Sequence, residues 1–263
     1  MNLEYIQSKN NPLIKELKKL KEKKYREEKN QFIVEGLRFT EEALKSSFSI
    51  ECVVINEEFL QREENVLFIN QVPSDIRVCS LSKESFKVVC GTENSQGILA
   101  VVNNKILNTE KKNGFYIFVD RVQDPGNLGT IIRTAHASGA LGVILRKGTV
   151  DLYNEKTLRS TMGSIFKVPV VMDKDLSCIL SLKEKGFKVI SSFLHTDKDF
   201  YDLDLKENVI IVVGNEGNGI SDEIIELSDT LVKLPMPGDA ESLNASIAAA
   251  IMMYEIVRQN RFK

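Results

Sequence analysis

Tryptophan is absent from this 263-residue chain, and histidine occurs only twice, at His136 and His195. So few imidazoles leave little room for histidine-based metal chemistry, and a Ser-His-Asp or Cys-His arrangement has few candidates. The four cysteines, Cys52, Cys79, Cys90 and Cys178, are scattered without a Cys-x-x-Cys pair. Neither a zinc site nor a disulfide framework is suggested, and a reducing cytoplasm fits best. Long apolar runs are missing as well. The longest, such as Val209 to Val213, are strand-sized, and the first residues are polar and lysine-rich with no apolar signal core. No membrane association and no export signal are expected. Net charge is small, −2, which argues against a protein that coats nucleic acid.

What is present is an ordinary globular composition, 43% hydrophobic, in a chain long enough for two domains. Charge is uneven at one place. Between Lys9 and Lys29 there are nine Lys and Arg against four Glu. Leu13, Leu17 and Leu20 recur there at helical spacing, so the lysines are either a solvated helix face or an RNA-contacting arm, and the two readings are compatible.

Asn10-Asn11-Pro12 can start a helix, since Asn caps free amides and Pro tolerates the first turn; the pattern extends to about Arg26. Strands are expected at Gln31–Val34, Glu51–Ile55, Val66–Ile69 and Gly97–Val102, with helices at Leu37–Leu44, Asn56–Glu64 and Lys83–Val89. That alternation predicts a small α/β domain over residues 1–102. Residues 103–114 are polar and aperiodic and read as a linker. A second alternation fills 115–263. Its expected strands are Phe115–Asp120, Gly142–Leu145, Lys188–Ser191, Val209–Val213 and Leu231–Leu234. Its expected helices are Leu128–Ser138, Glu155–Phe166, Asp175–Lys185, Asp222–Leu227 and Leu243–Gln259. Near-continuous apolar strands such as IIVV imply burial on both faces, hence a mostly parallel sheet with helices on both sides.

Three segments could carry chemistry. In the first, Phe118 to Ala140, a buried strand ends at Asp120, a Pro125-Gly126 turn follows, and Asn127 is placed at a helix N-cap with Arg133 about two turns further on. Taken alone, this segment is better explained without chemistry: Asn127 caps, Gly129 eases packing and Arg133 makes a surface ion pair. The glycines there do not form G-x-G-x-x-G, so a dinucleotide-binding oxidoreductase is disfavoured. The second, Ile210 to Ser221, puts three glycines in six residues after a buried strand and around Glu216, more than a tight loop before a helix needs. Bare backbone of that kind lets a flat ligand approach peptide groups. The third, Leu231 to Glu255, stops a strand at Pro235 and Pro237 and opens a helix at Ser242-Leu243-Asn244, presenting free amides in front of it. Ala245, Ala248 and Ala249 on that helix permit close packing, within the chain or across a dimer.

In this order the segments resemble the three motifs of the SpoU (TrmH-like) family of RNA 2′-O-methyltransferases: N-x-G-x-x-x-R at Asn127 to Arg133, G-N-E-G-x-G at Gly214 to Gly219, and L-P-M-x-G with S-L-N-A-S between Leu234 and Ser246. Upstream, NNPLIKELKKL, FIVEGLRF and SQGILAVV are similar to the smaller substrate-binding domain found in many members. The resemblance implies a deep trefoil knot in the catalytic domain and a homodimer with sites near the subunit interface. It implies S-adenosylmethionine as cofactor, held by Gly214, Asn215, Gly219, Leu234, Pro235, Met236, Leu243 and Asn244, with no metal. It implies that Asn127, Arg133, Glu216, Ser242 and Asn244 serve catalysis on a ribose 2′-hydroxyl. Ribosomal RNA is the expected substrate. A transfer-RNA methyltransferase, or a non-catalytic RNA-binding ribosome-assembly protein of the same fold, are the alternatives.

Overall fold

A computed structural model describes residues 3–92, 94–108, 113–238 and 240–261. The chain divides into two compact units. Unit 1 comprises residues 1–105 together with Tyr153–Leu158, and unit 2 the remainder. Part of the expected linker, residues 109–112, lies outside the described residues.

Unit 1 is built on a five-stranded mixed sheet of β1 (Leu3–Ile6), β2 (Gln31–Glu35), β3 (Ile50–Asn56), β4 (Arg77–Leu81) and β5 (Ile98–Asn103), in the order β1-β4-β3-β5-β2. β1, β4 and β3 are mutually parallel, and β5 runs antiparallel to both β3 and β2. The first expected helix divides into α1 (Pro12–Lys19) and α2 (Lys23–Lys29). Asn11 caps α1 by accepting from the Leu13 amide at 2.8 Å. At its other end Arg26, buried, reaches back to the carbonyls of Leu20 and Lys21, satisfying acceptors that a continuous helix would have used itself. Leu13, Ile14, Leu17 and Leu20 are buried while Lys15, Lys18, Lys19 and Lys24 are exposed. α3 (Leu37–Leu44) and α5 (Lys83–Val89) form as expected.

Two expectations fail here. Val66–Ile69 is not a strand but part of α4 (Glu63–Asn70), and the segment expected to be the preceding helix contains the end of β3 and a 3-10 turn, Phe59–Gln61. A four-residue apolar run does not distinguish the two states. Only Asn65 and Ile69, four apart on one helical face, are buried in α4, and Leu67 is exposed. β1 and β4 were not anticipated.

Unit 2 holds β6 (Phe115–Val119), β7 (Gly142–Arg146), β8 (Val170–Asp173), β9 (Lys188–Ser192), β10 (Val209–Val213) and β11 (Thr230–Val232) in an all-parallel sheet ordered β11-β9-β10-β6-β7-β8. Its helices are α6 (Pro125–Ser138), α8 (Ser177–Glu184), α9 (Asp222–Leu227) and α10 (Ala245–Arg261), while α7 (Glu155–Thr161) begins in the stretch that belongs to unit 1. β10 lies at the centre and is buried along its whole length. One core, including Leu128, Ile132, Ala249, Met252 and Met253, joins α6 and α10 to one sheet face; another, including Ile179, Leu182 and Ile224, joins α8 and α9 to the other. The alanines of the last helix therefore serve packing within the chain: Ala249 is fully buried and Ala245 and Ala248 lie against the same core. The expected helix Glu155–Phe166 is interrupted at Met162 and Gly163, both at positive φ. β8, an edge strand only partly buried, was not anticipated.

Candidate active site

Parallel strands deliver their carboxyl ends to one edge of the sheet, where connecting loops gather. In unit 2 three such loops enclose a cavity of about 500 Å³, within the size range of small-molecule sites. The end of β9 and the loop after it supply Ser192 to His195, the loop after β10 supplies Gly214 to Ile220, and the segment after β11 supplies Leu234, Met236 and Glu241 to Leu243. Ala245 and Ala248 of α10 complete the lining.

The middle loop owes its shape to specific residues. Asn215 and Gly219 exchange backbone hydrogen bonds of 2.8 and 2.9 Å, and Asn215 Oδ1 accepts from the amides of Gly217 and Asn218, both at 2.9 Å. Gly219 sits at φ +65°, and a Cβ on Gly214 would lie only 2.3 Å from the Gly219 carbonyl carbon. Gly214 is therefore required by close backbone approach, and Gly219 by conformation. Asn215 Nδ2 also donates to the Arg121 carbonyl at 2.9 Å. Arg121 has φ +61°, a conformation that costs a non-glycine residue about 1–2 kcal/mol. Its carbonyl also accepts from Gln123 Nε2 at 2.8 Å.

Beside the cavity lies a cluster of amides around one carboxylate. Asn127 Nδ2 donates to Glu216 Oε1 at 2.9 Å, while Asn127 Oδ1 accepts from Asn244 Nδ2 at 2.9 Å and from Ser246 Oγ at 3.3 Å. The two Glu216 oxygens additionally accept from the backbone amides of Gln123 (3.1 Å) and Asp124 (3.2 Å). Burial works against ionisation of Glu216, but these hydrogen bonds outweigh it and hold its pKa below the ordinary carboxylate value. Asn127 is not the helix cap. Asp124 caps α6, accepting from the Asn127 amide at 2.9 Å, which frees the Asn127 side chain for the cluster. Asn244 does cap its helix, its Oδ1 accepting from the amides of Ser246 (2.9 Å) and Ile247 (3.3 Å).

A buried ionic group anchors the far end of the Gly214–Ile220 loop. Asp120, fully buried at the end of β6, accepts from the Ser221 amide at 2.7 Å and pairs with Arg146 at 3.1 Å. Arg146 in turn binds the Ser221 hydroxyl and, at 2.8 Å, Glu223 in the first turn of α9.

Of the residues expected from sequence, Gly214, Asn215, Gly219, Leu234, Met236, Leu243, Ser242 and Glu216 line the cavity. Asn127 and Asn244 belong to the adjoining cluster rather than the lining. Pro235 is exposed and outside the lining. Arg133 projects from the exposed face of α6 and makes no hydrogen bond or ion pair among the described residues. Ser246, Asp120, Arg146, Glu241 and the Ser192–His195 loop were not anticipated. Ser246 lies inside the third quoted motif and Asp120 in the first segment, upstream of its motif, whereas the loop after β9 carries no sequence signature.

The lining contains two carboxylates, Glu216 and Glu241, one histidine, and neither lysine nor arginine. Such a wall offers no cationic side chain to a phosphate. Bare backbone at Gly214–Gly219 beside Leu234, Met236 and Leu243 suits a flat base, and the acidic groups suit a cation. The residues present thus fit a nucleoside with a positively charged substituent. Among the described residues no cluster of His, Cys, Asp and Glu could hold a metal ion, and no helix is long and apolar enough to cross a membrane.

Fold and site together define an α/β protein with a small-molecule cavity beyond the carboxyl edge of a parallel sheet. Residues 114–254 match the SpoU rRNA methylase family and residues 11–100 the MRM3-like substrate binding domain. The chain is 38% identical to the 23S rRNA (guanosine(2553)-2′-O)-methyltransferase RlmP of Bacillus subtilis, over 97% of this chain and 99% of that protein. Among solved structures it resembles an AdoMet-bound rRNA methyltransferase from Sinorhizobium meliloti (31% identity, TM-score 0.85, covering 97% of this chain and 98% of that one). It also resembles the SpoU methyltransferase AviRb from Streptomyces viridochromogenes in complex with AdoMet (25% identity, TM-score 0.86, 96% and 99%). The chain belongs to the SpoU rRNA methylase family.

Proposed function

We propose that this protein is an RNA methyltransferase that uses S-adenosylmethionine to methylate a ribose 2′-hydroxyl in ribosomal RNA, acting in the cytoplasm as a homodimer. The observation that carries this reading is the bonded set Glu216–Asn127–Asn244: one residue from each of the three motifs, brought together where the cofactor cavity meets the end of the sheet. The kinship with RlmP over nearly the whole length supports ribosomal RNA as substrate.

S-adenosylmethionine supplies, when bound, a methyl group on a positively charged sulfur. Methylation then forms a carbon–oxygen bond to the ribose, returns the carbon–sulfur electron pair to sulfur, and releases the hydroxyl proton to solvent. The residues of this chain have to align and stabilise. Alignment can supply roughly 7–11 kcal/mol of the barrier. The Gly214–Gly219 backbone, Leu234, Met236 and Leu243 hold the nucleoside, with Asn215, Pro235 and Ser242 shaping the loops around it. Asn127 and Asn244, locked by Glu216 and Ser246, form the rigid floor on which the ribose is oriented. A guanidinium is a fork of donors with no acceptor, so the role of Arg133 is to bind the phosphate beside the target and to stabilise charge developing on the 2′-oxygen. Its exposure leaves its guanidinium available for RNA.

The dimer is supported by α10, which exposes Ile247 and Tyr254, two turns apart on one face. The knot implied by family membership is supported by the return of α10 from the β11 edge to pack on α6 and β10 at mid-sheet. The exposed lysines of α1 and α2 supply positive charge suited to an RNA backbone.

The test is to incubate the purified protein with ribosomal RNA and S-adenosylmethionine labelled in the methyl group, then hydrolyse the RNA in alkali. A 2′-O-methyl group blocks cleavage at its own nucleotide, so label should appear in alkali-resistant dinucleotides. Label confined to mononucleotides would indicate base methylation and contradict the proposal.

A further inference from the structure

We infer that the cavity distinguishes the methyl donor from its spent product by charge, with Glu241 and Glu216 as the discriminating residues. This rests on the reading of the cavity as the S-adenosylmethionine site. Methyl transfer turns a sulfonium into a neutral thioether, so donor and product differ by one methyl group and one positive charge. A pocket large enough for the donor admits the smaller product, and steric exclusion is therefore unavailable. Attraction to the charge is what remains.

The lining is built for that. Two glutamates face the cavity with no lysine or arginine among the lining residues. Glu241 is exposed and makes no hydrogen bond or ion pair among the described residues, so its charge is not neutralised by a neighbour. Glu216 is held by three N–H donors, none of them cationic, and those bonds favour its ionised form. The positive end of α10 does not cancel these charges at close range, because its first-turn amides at Ser246 and Ile247 are bonded to Asn244 Oδ1. Glu216 also bonds Asn127, so it stands where cavity and catalytic cluster meet, which is where the reacting sulfur must lie.

Calorimetry with three ligands separates this from a general role in binding: S-adenosylmethionine, S-adenosylhomocysteine, which is uncharged at sulfur, and sinefungin, which carries an ammonium at the equivalent place. The wild-type chain is expected to prefer the two cationic ligands, and added salt to narrow the preference. E241Q should weaken both cationic ligands by a factor of about five and change S-adenosylhomocysteine by less than about twofold, the scale of one solvated charge pair at close range. E216Q should narrow the same gap. An E241Q variant that weakens all three ligands equally, or none, would overturn the inference while leaving the methyltransferase reading intact. A wild-type chain that binds none of the three would instead remove the reading on which it rests.

Discussion

Asn127 and Glu216 stand 89 residues apart in sequence and are joined by a hydrogen bond of 2.9 Å from Nδ2 to Oε1. That bond ties the start of α6 to the glycine-rich loop after β10. Because Asn127 Oδ1 is taken by Asn244 and Ser246, one amide side chain couples all three motif segments.

Replacing Asn127 with Ala removes the shared partner of Glu216, Asn244 and Ser246. Methyl transfer should fall by at least about a hundredfold, as when a preorganised polar group is removed from an active site. Stability should fall by roughly 1–3 kcal/mol, since of the partners left behind only Ser246 is buried, while Glu216 and Asn244 are exposed. Single-turnover transfer and urea denaturation measure the two; transfer within about threefold of wild type would remove Asn127 from the catalytic account.

Gly214→Ala and Gly217→Ala form a matched pair. A Cβ at 214 would meet backbone atoms of Gly219 and Ile220 at 2.3–2.5 Å, whereas at 217 the nearest atom is Asn215 Oδ1 at 3.7 Å. The first should open the loop and cost about tenfold or more in cofactor affinity, as overpacking against backbone commonly costs 1–3 kcal/mol. The second should bind nearly as wild type. Equal affinities in a calorimetric titration would show that the loop does not hold the cofactor.

The lowered pKa of Glu216 makes a statement about stability and pH. A carboxyl whose folded pKa lies below its unfolded value, here 4.5, stabilises the fold fully at higher pH and ceases to do so as pH falls through the folded pKa. Denaturation midpoints of the wild type should therefore fall more steeply below about pH 4.5 than those of Glu216→Gln. Parallel curves would mean that its hydrogen bonds do not favour the ionised form.

Among the described residues, Arg146→Met leaves the buried carboxylate of Asp120 with the half-exposed Arg121 as its one charged partner, at 3.3 Å. Loss of one member of a buried pair costs about 3–5 kcal/mol, and here it also releases Ser221 at the end of the cofactor loop. Equilibrium denaturation should show that loss, with weakened cofactor binding alongside it. An unchanged midpoint would place the pair among those that only break even.

Much of this was legible in the sequence because the signals are local. The run Val209–Val213 matches β10 residue for residue, and Asp222–Leu227 matches α9; a buried apolar strand and a helix with acidic first-turn residues both announce themselves within six residues. The glycine loop was legible because its glycines have no other use. What failed depended on tertiary context. Val66–Ile69 has strand-like composition, yet burial of Asn65 and Ile69 on one face makes it helical. Asn127 resembled a cap until Asp124, three residues earlier, was seen to hold that place. The Asp120–Arg146–Ser221 group is assembled from three elements separated by up to 101 residues, and no local pattern encodes it. The Ser192–His195 wall of the cavity continues from β9 and is tied to β11 by the Phe193 amide, which donates to the Val232 carbonyl at 2.8 Å.

The measurement that bears most directly on the central claim is mass-spectrometric mapping of 2′-O-methylated nucleosides in ribosomal RNA from cells with the gene, without it, and complemented with wild type or Asn127→Ala. One ribose methylation should vanish with the gene, return with the wild-type copy, and stay absent with the variant. An identical 2′-O-methylation map in all four strains would contradict the assignment of this protein as a ribose methyltransferase.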